Sequence, residues 1–358
     1  MRGRHLAAAG LVAAAVTVAT AGAASAAPPT VTCGSTVTGY ARLTSDLTCA
    51  SGDGVTLTGD ATLDLRGHTL TGPNDGTGIG VVTSTTGRSK IVNGRIERWG
   101  RGIGGNLELQ GRPVVDVRDV TFFSDITAID AYVSTVTVDR STFDDGERGV
   151  NVVFSSSATV TRSTFQALGE AGVYTDESLG ATVSRSTFTG SSTGIRCGDA
   201  CTVTHNVIKT NGEGVSTFGA RLTATGNDFV SNDVGYAPGR NTGGREDVRG
   251  NRFLDNGAGV RIFGEGAGFQ LHRNLFDGNG IGFLAQETEG DYSALLDRNT
   301  FKNNGDGVLA TVGSPSLRRN SAVDNTRWGI YAPGAVDLGG NTASGNGNEP
   351  QCVGVVCS

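Results

Sequence analysis

Arg249, His272, Asp297 and Arg318 follow one another at intervals of 23, 25 and 21 residues. If that interval is one turn of a repeating structure, the four side chains stand side by side. An aspartate beside an imidazole orients it and tunes it for general-base work, and a guanidinium holds a carboxylate. His272, Asp297 and Arg249 are therefore the candidate catalytic set, with Arg318 a candidate for binding. The same four residues would serve as an alternating-charge ladder stiffening an exposed sheet.

A second group follows a recurrent pair of a small residue and an apolar one. Its first outward positions carry Asp130, Tyr174, Arg196 and Arg261, and Asp176 points the same way as Tyr174 if strand alternation holds. A tyrosine ring packs on the apolar face of a sugar ring, while carboxylate and guanidinium meet hydroxyls. These five are candidates for substrate binding, against a reading as ordinary surface decoration.

The six cysteines form three close pairs, Cys33 with Cys49, Cys197 with Cys201 and Cys352 with Cys357. An even count in an exported chain reads as disulfides, and proximity makes these three local bridges the simplest pairing. A metal site at Cys197, Cys201 and His205 would need a fourth ligand that the sequence does not offer. No metal and no cofactor are expected.

What could position such residues is a repeat. An apolar anchor recurs every 20 to 26 residues, at Leu70, Ile96, Phe122, Phe143, Phe165, Phe188, Ile208, Phe229, Phe253, Phe276, Phe301, Ala322 and Ala343. Six or seven residues after most anchors comes the small-plus-apolar pair, as in Gly172-Val173 and Gly282-Phe283. Each unit thus holds three short extended stretches separated by turns. A unit of this size cannot bury its own apolar face, so it is stable only when stacked on a neighbour.

Asparagine stands two residues before the anchor at Asn206, Asn227, Asn251, Asn274, Asn299, Asn320 and Asn341. It stands three after the anchor at Asn211, Asn232, Asn256, Asn279, Asn304, Asn325 and Asn346, and Ser141, Ser163 and Ser186 take the first position in earlier units. Stacked amides hydrogen-bond along such columns, which is a structural role. The fold expected is all-β: one single-stranded right-handed parallel β-helix of about a dozen coils, with almost no helix. The longest excursions between coils are expected near residues 144–148, 174–180 and 286–291.

Composition agrees, with 56 glycines, eight prolines and one methionine in 358 residues. At the N-terminus Arg2 and Arg4 precede an apolar stretch from Leu6 to Ala23, with small residues at Ala24, Ser25 and Ala26, the pattern of a secretion signal. The expected organisation is signal 1–26, N-terminal cap 27–60, β-helix 61–346 and C-terminal cap 347–358, in a secreted monomer. Loss of the signal leaves 27 basic against 35 acidic residues, a net charge of −8. That sign and the lack of any basic run argue against nucleic acid, and no later segment is apolar enough to span a membrane.

These repeats resemble those of the pectin-lyase-like right-handed β-helix superfamily, in the form common among exported bacterial proteins. Asn274 to Phe283, NLFDGNGIGF, matches the N-x-F-x-x-N-x-x-G-V pattern, and the LTSDLTC and LDLRGHTLTG segments between Cys33 and Gly72 resemble the cap and first coil. The resemblance covers essentially the whole mature chain. It implies an extracellular polysaccharide as partner, with a lyase, hydrolase or epimerase activity or none. Polygalacturonase-like motifs are only approached, by the Asp144-Asp145 pair and by His68 in GHT, which lie in separate coils. Two classes stand: an enzyme acting on a polysaccharide, if so a lyase or glycoside hydrolase, and a non-catalytic protein binding glycan or another surface.

Overall fold

The computed structural model describes residues 30–105, 111–239, 246–262, 268–286 and 292–358. The expected signal 1–26 lies outside them, as does most of the 286–291 excursion. The described residues form strands and turns with no helix, and every ladder between strands is parallel. Each strand pairs with the strand one turn on: Ser157–Thr161 with Gly180–Ser184, Thr187–Thr189 with Val207–Lys209, Thr193–Cys197 with Glu213–Thr217. Three parallel sheets result, called first, second and third in that order. The described residues wind through about 14 turns. The count exceeds the expected dozen partly because Leu47 pairs with Leu70 and so starts the anchor column one turn earlier.

The anchors stack as the spacing predicts. Ring centroids of Phe122, Phe143, Phe165 and Phe188 succeed one another at 4.9, 4.4 and 4.6 Å, and Phe229, Phe253, Phe276 and Phe301 at 4.6, 4.7 and 4.6 Å. This spacing follows the separation of strands in the hydrogen-bonding direction. The interior is filled by these rings and by Val, Ile and Leu columns that are almost wholly shielded from solvent.

The small residue before each third-sheet apolar residue has a packing cause. A Cβ added to Gly172 would lie 2.6 Å from the carbonyl oxygen of Gly194 and 2.6 Å from Phe188 Cδ1. Gly172→Ala is therefore expected to destabilise the chain by about 1–3 kcal/mol, the usual cost of overpacking. Thermal unfolding followed by circular dichroism checks this, and an unchanged midpoint would remove the close-approach explanation.

Both asparagine ladders form. Asn227 Nδ2 donates to Asn251 Oδ1 at 3.0 Å and to the Val203 carbonyl at 2.8 Å, and the pattern repeats down the column. Serines continue it: the Ser141 amide donates to Ser163 Oγ and the Ser163 amide to Ser186 Oγ. The three cysteine pairs are bridged as the spacing suggests, with Cα–Cα distances of 5.7, 6.2 and 6.2 Å. The thiols of Cys197 and Cys201 are thus joined to each other.

Two expected excursions are corrected. Residues 144–148 lie within the strand Thr142–Val153, and Tyr174 to Asp176 within Thr164–Asp176. Between residues 144 and 148 the extra length is absorbed as a register shift, Gly146 facing Leu168 and Arg148 facing Ala171, while residues 177–179 form a three-residue bend before the strand that opens at Gly180.

Candidate functional site

The outward column of the first sheet reads as the repeat predicts: Arg249 faces His272, His272 faces Asp297, and Asp297 faces Arg318. Alternation within each strand turns these four out, while Val248, Leu271, Leu296 and Leu317 fill the core. His272 Nδ1 lies 3.5 Å from Asp297 Oδ2, and His272 Nε2 is 3.0 Å from Gln270 Oε1 on its own strand. Arg318 grips Asp297 with two parallel bonds of 2.9 Å, and Arg298 adds a third contact at 3.2 Å. The Arg318 guanidinium, above all, holds the Asp297 carboxyl below the usual range. The Asp297 side chain is only 4% exposed, so its oxygens are spent on these partners.

Arg249 departs from the expected role. It turns back along the column, Nε 3.4 Å from Thr225 Oγ1 and 3.7 Å from Asp247 Oδ2, and makes no contact with His272. Its guanidinium side chain is longer than that of His272 and finds one acceptor on the preceding rung, Thr225, and one on its own strand, Asp247. The residues nonetheless share one open depression of about 520 Å3, lined by Thr225, Asp247, Arg249, His272, Arg273 and Arg298 among others. The other oxygen of Asp247 is buried there without a partner.

Chemically, both ring nitrogens of His272 face oxygen acceptors. Both nitrogens thus already have protein partners, an amide oxygen on the same strand and a carboxylate on the next rung. Around it stand guanidiniums, so the depression offers donors and positive charge.

The second group is assembled on the third sheet. Asp130 faces Asn151, Asn151 faces Tyr174, and Tyr174 faces Arg196. Asp176 points outward with Tyr174, since Val173 and Thr175, which alternate with them along the strand, are buried. The partners differ from expectation. Asn151 Nδ2 donates to Asp130 Oδ1 at 2.8 Å, and Arg101 approaches the other Asp130 oxygen at 3.4 Å. Arg148, held by Glu170 through bonds of 2.6 and 2.9 Å, lies over the Tyr174 ring at 4.2 Å, and Arg196 approaches the ring at 5.6 Å. A ring so covered does not present the free apolar face that stacking on a sugar requires. Arg196 and Asp176 remain open to solvent. Arg261 continues the column three rungs beyond Arg196, beside Leu284.

Arg273, Arg298, Gln270 and Asp247 were not singled out from the sequence. A signal for the first two existed, since an arginine immediately precedes the ladder residue in Arg273-Asn274 and Arg298-Asn299. Also unannounced is a buried pair inside the core: the Tyr236 hydroxyl donates to Glu246, whose carboxyl burial pushes up to about 6.

Residues 106–244 match the family model described as right handed beta helix region. Among solved structures, two mutant forms of the periplasmic alginate epimerase AlgG are similar, with TM-scores of 0.45 and 0.42. Identity is 15% and 12%, over 89% and 84% of this chain and 77% and 78% of theirs. No curated protein sequence matches the chain. The pectin-lyase-like resemblance is thus met at the level of fold, and the chain is a single-stranded right-handed parallel β-helix.

Proposed function

We propose that this protein is exported and binds an extracellular polysaccharide through the depression around His272, acting there as a binding protein. The observation that carries this reading is the engagement of His272 by Gln270 and Asp297 within a ring of guanidiniums. Guanidinium donors suit the holding of hydroxyls and oxyanions, and three bridged cysteine pairs suit an oxidising compartment.

Processing is the second reading, favoured by the aspartate behind the imidazole: with Gln270 displaced by ligand, His272 Nε2 would become a base. The test is a panel of plant, algal and bacterial polysaccharides. Each is assayed for retention by the full chain, for new reducing ends and for the absorbance of unsaturated products. At least one is expected to bind with no product, and Arg249→Ser with Arg298→Ser to weaken it by about tenfold, the loss of roughly 1.4 kcal/mol. Product formation abolished by His272→Ala would establish the second reading instead, and no retention of any polysaccharide would sink both.

A further inference from the structure

The corner between the first and second sheets is a single residue in left-handed conformation, immediately before each ladder residue. In successive rungs it is Arg140, Arg162, Arg185 and His205, then Gly226 and Gly250, then Arg273, Arg298 and Arg319, with φ between 48° and 66°. Each of these arginines donates its amide to a carbonyl of the following rung, for instance Arg185 to Thr204 at 3.2 Å and Arg273 to Asp297 at 3.0 Å. Their Cα atoms therefore rise along the axis by about 4.8 Å per rung, the separation of paired strands. Glycine adopts this conformation freely, and a side chain there costs about 1–2 kcal/mol. The fold alone is satisfied by glycine, as Gly226 and Gly250 demonstrate.

The row is exposed and carries an excess of charge. Together with the outward column beside it, from the rung of Arg118 to that of Arg319, it holds nine arginines against three aspartates, Asp119, Asp139 and Asp297. Asp119 and Asp139 engage Arg140 and Arg162, and Asp297 engages Arg298 and Arg318. The side chains of Arg185, Arg273 and Arg319 have no acidic partner among the described residues. On a chain of formal charge −6, a cationic line of this length is a local feature that no linear stretch of sequence displays.

We propose that this corner is a track for one extended glycan chain bearing an oxyanion on its repeats, lying parallel to the β-helix axis. The inference rests on the polysaccharide reading above and names the class of polymer. The oxyanion can be carboxylate or sulfate, since the guanidinium fork meets either bidentately. The line is one side chain wide and bordered by Thr161, Ser184, Thr204 and Thr225, whose hydroxyls suit sugar hydroxyls. A duplex nucleic acid needs a broader cationic face, and the acidic remainder of the surface repels it.

The test uses the full chain with polygalacturonate, dextran sulfate, neutral dextran and duplex DNA, measuring affinity against salt concentration. The variant Arg185→Gly, Arg273→Gly, Arg319→Gly places at three rungs the residue that the fold already accepts at two others, and the matching triple lysine variant retains charge. At least one of the two anionic polysaccharides is expected to bind. The glycine variant should lose about tenfold or more in affinity and flatten the salt slope by roughly two to three, at about 0.7–0.9 per lost contact. The lysine variant should fall between. Binding of neutral dextran with no effect of either variant would overturn the track and leave the polysaccharide reading standing. Tighter binding of DNA than of both anionic polysaccharides would overturn the choice of partner, and no binding of any probe would overturn both proposals.

Discussion

Asn251→Ala is expected to lower the free energy of unfolding by about 3–6 kcal/mol, because it strands several buried groups at about 1–3 kcal/mol each. Asn251 Oδ1 accepts both the backbone amide and the side-chain amide of Asn227, at 2.9 and 3.0 Å. Its Nδ2 donates to the Ala224 carbonyl at 3.0 Å and to Asn274 Oδ1 at 3.1 Å. Asn227, Asn251 and Asn274 are all buried, so water cannot replace these bonds without opening the corner. Asn251→Ser should recover part of the loss, since serine fills the same position at Ser141, Ser163 and Ser186 and accepts the preceding rung's amide. Urea unfolding followed by circular dichroism measures the difference. A cost below about 1 kcal/mol for the alanine variant would mean that the ladder contributes no more than one ordinary hydrogen bond.

Asp125→Asn should act in the opposite direction and stabilise the protein by about 1–3 kcal/mol at neutral pH, by removing an unsatisfied buried acceptor. Asp125 stands three residues after the anchor Phe122, at the position that later rungs give to asparagine. Its Oδ1 accepts the Trp99 amide at 2.8 Å, as each ladder asparagine accepts the amide one rung earlier, but its Oδ2 is buried without a partner. In the ladder that place belongs to an Nδ2 donating to the previous anchor's carbonyl, as Asn232 does to Ile208 at 2.9 Å. Burial pushes the Asp125 carboxyl well above the ordinary value.

The sign of the pH dependence follows. A carboxyl whose folded value is raised keeps its proton in the native state after the unfolded chain has lost it. Stability from this group is therefore complete below about pH 4, the unfolded value, and falls as pH rises toward the folded one. Glu246, raised to about 6, contributes with the same sign. Comparing the unfolding free energies of wild type and Asp125→Asn between pH 4 and 8 subtracts the Glu246 contribution. The gap should widen with pH, and a constant gap would show that Asp125 does not titrate differently on folding.

The anchors, both asparagine ladders, the three bridges and the facing of Arg249, His272, Asp297 and Arg318 were legible in the sequence. Stacking at fixed period converts sequence spacing into neighbourhood, so residues at equivalent positions of successive repeats must meet. Periodicity also has a boundary: the Leu47 segment lacks the full pattern and reads as part of a cap, although it pairs with Leu70 as a rung.

What only the tertiary structure decided is where long side chains end. Register places the Cα atoms, but a guanidinium reaches across more than one rung and takes whichever acceptor lies nearest. Thus Arg249 reaches back to Thr225 and Asp247, Arg148 covers Tyr174, and Asp297 is claimed by Arg318 and Arg298 rather than left to His272. The same holds for the corner arginines. Scattered singly along the chain, they carry no charge pattern in any short window, and only winding at about 4.8 Å per turn brings them into a line.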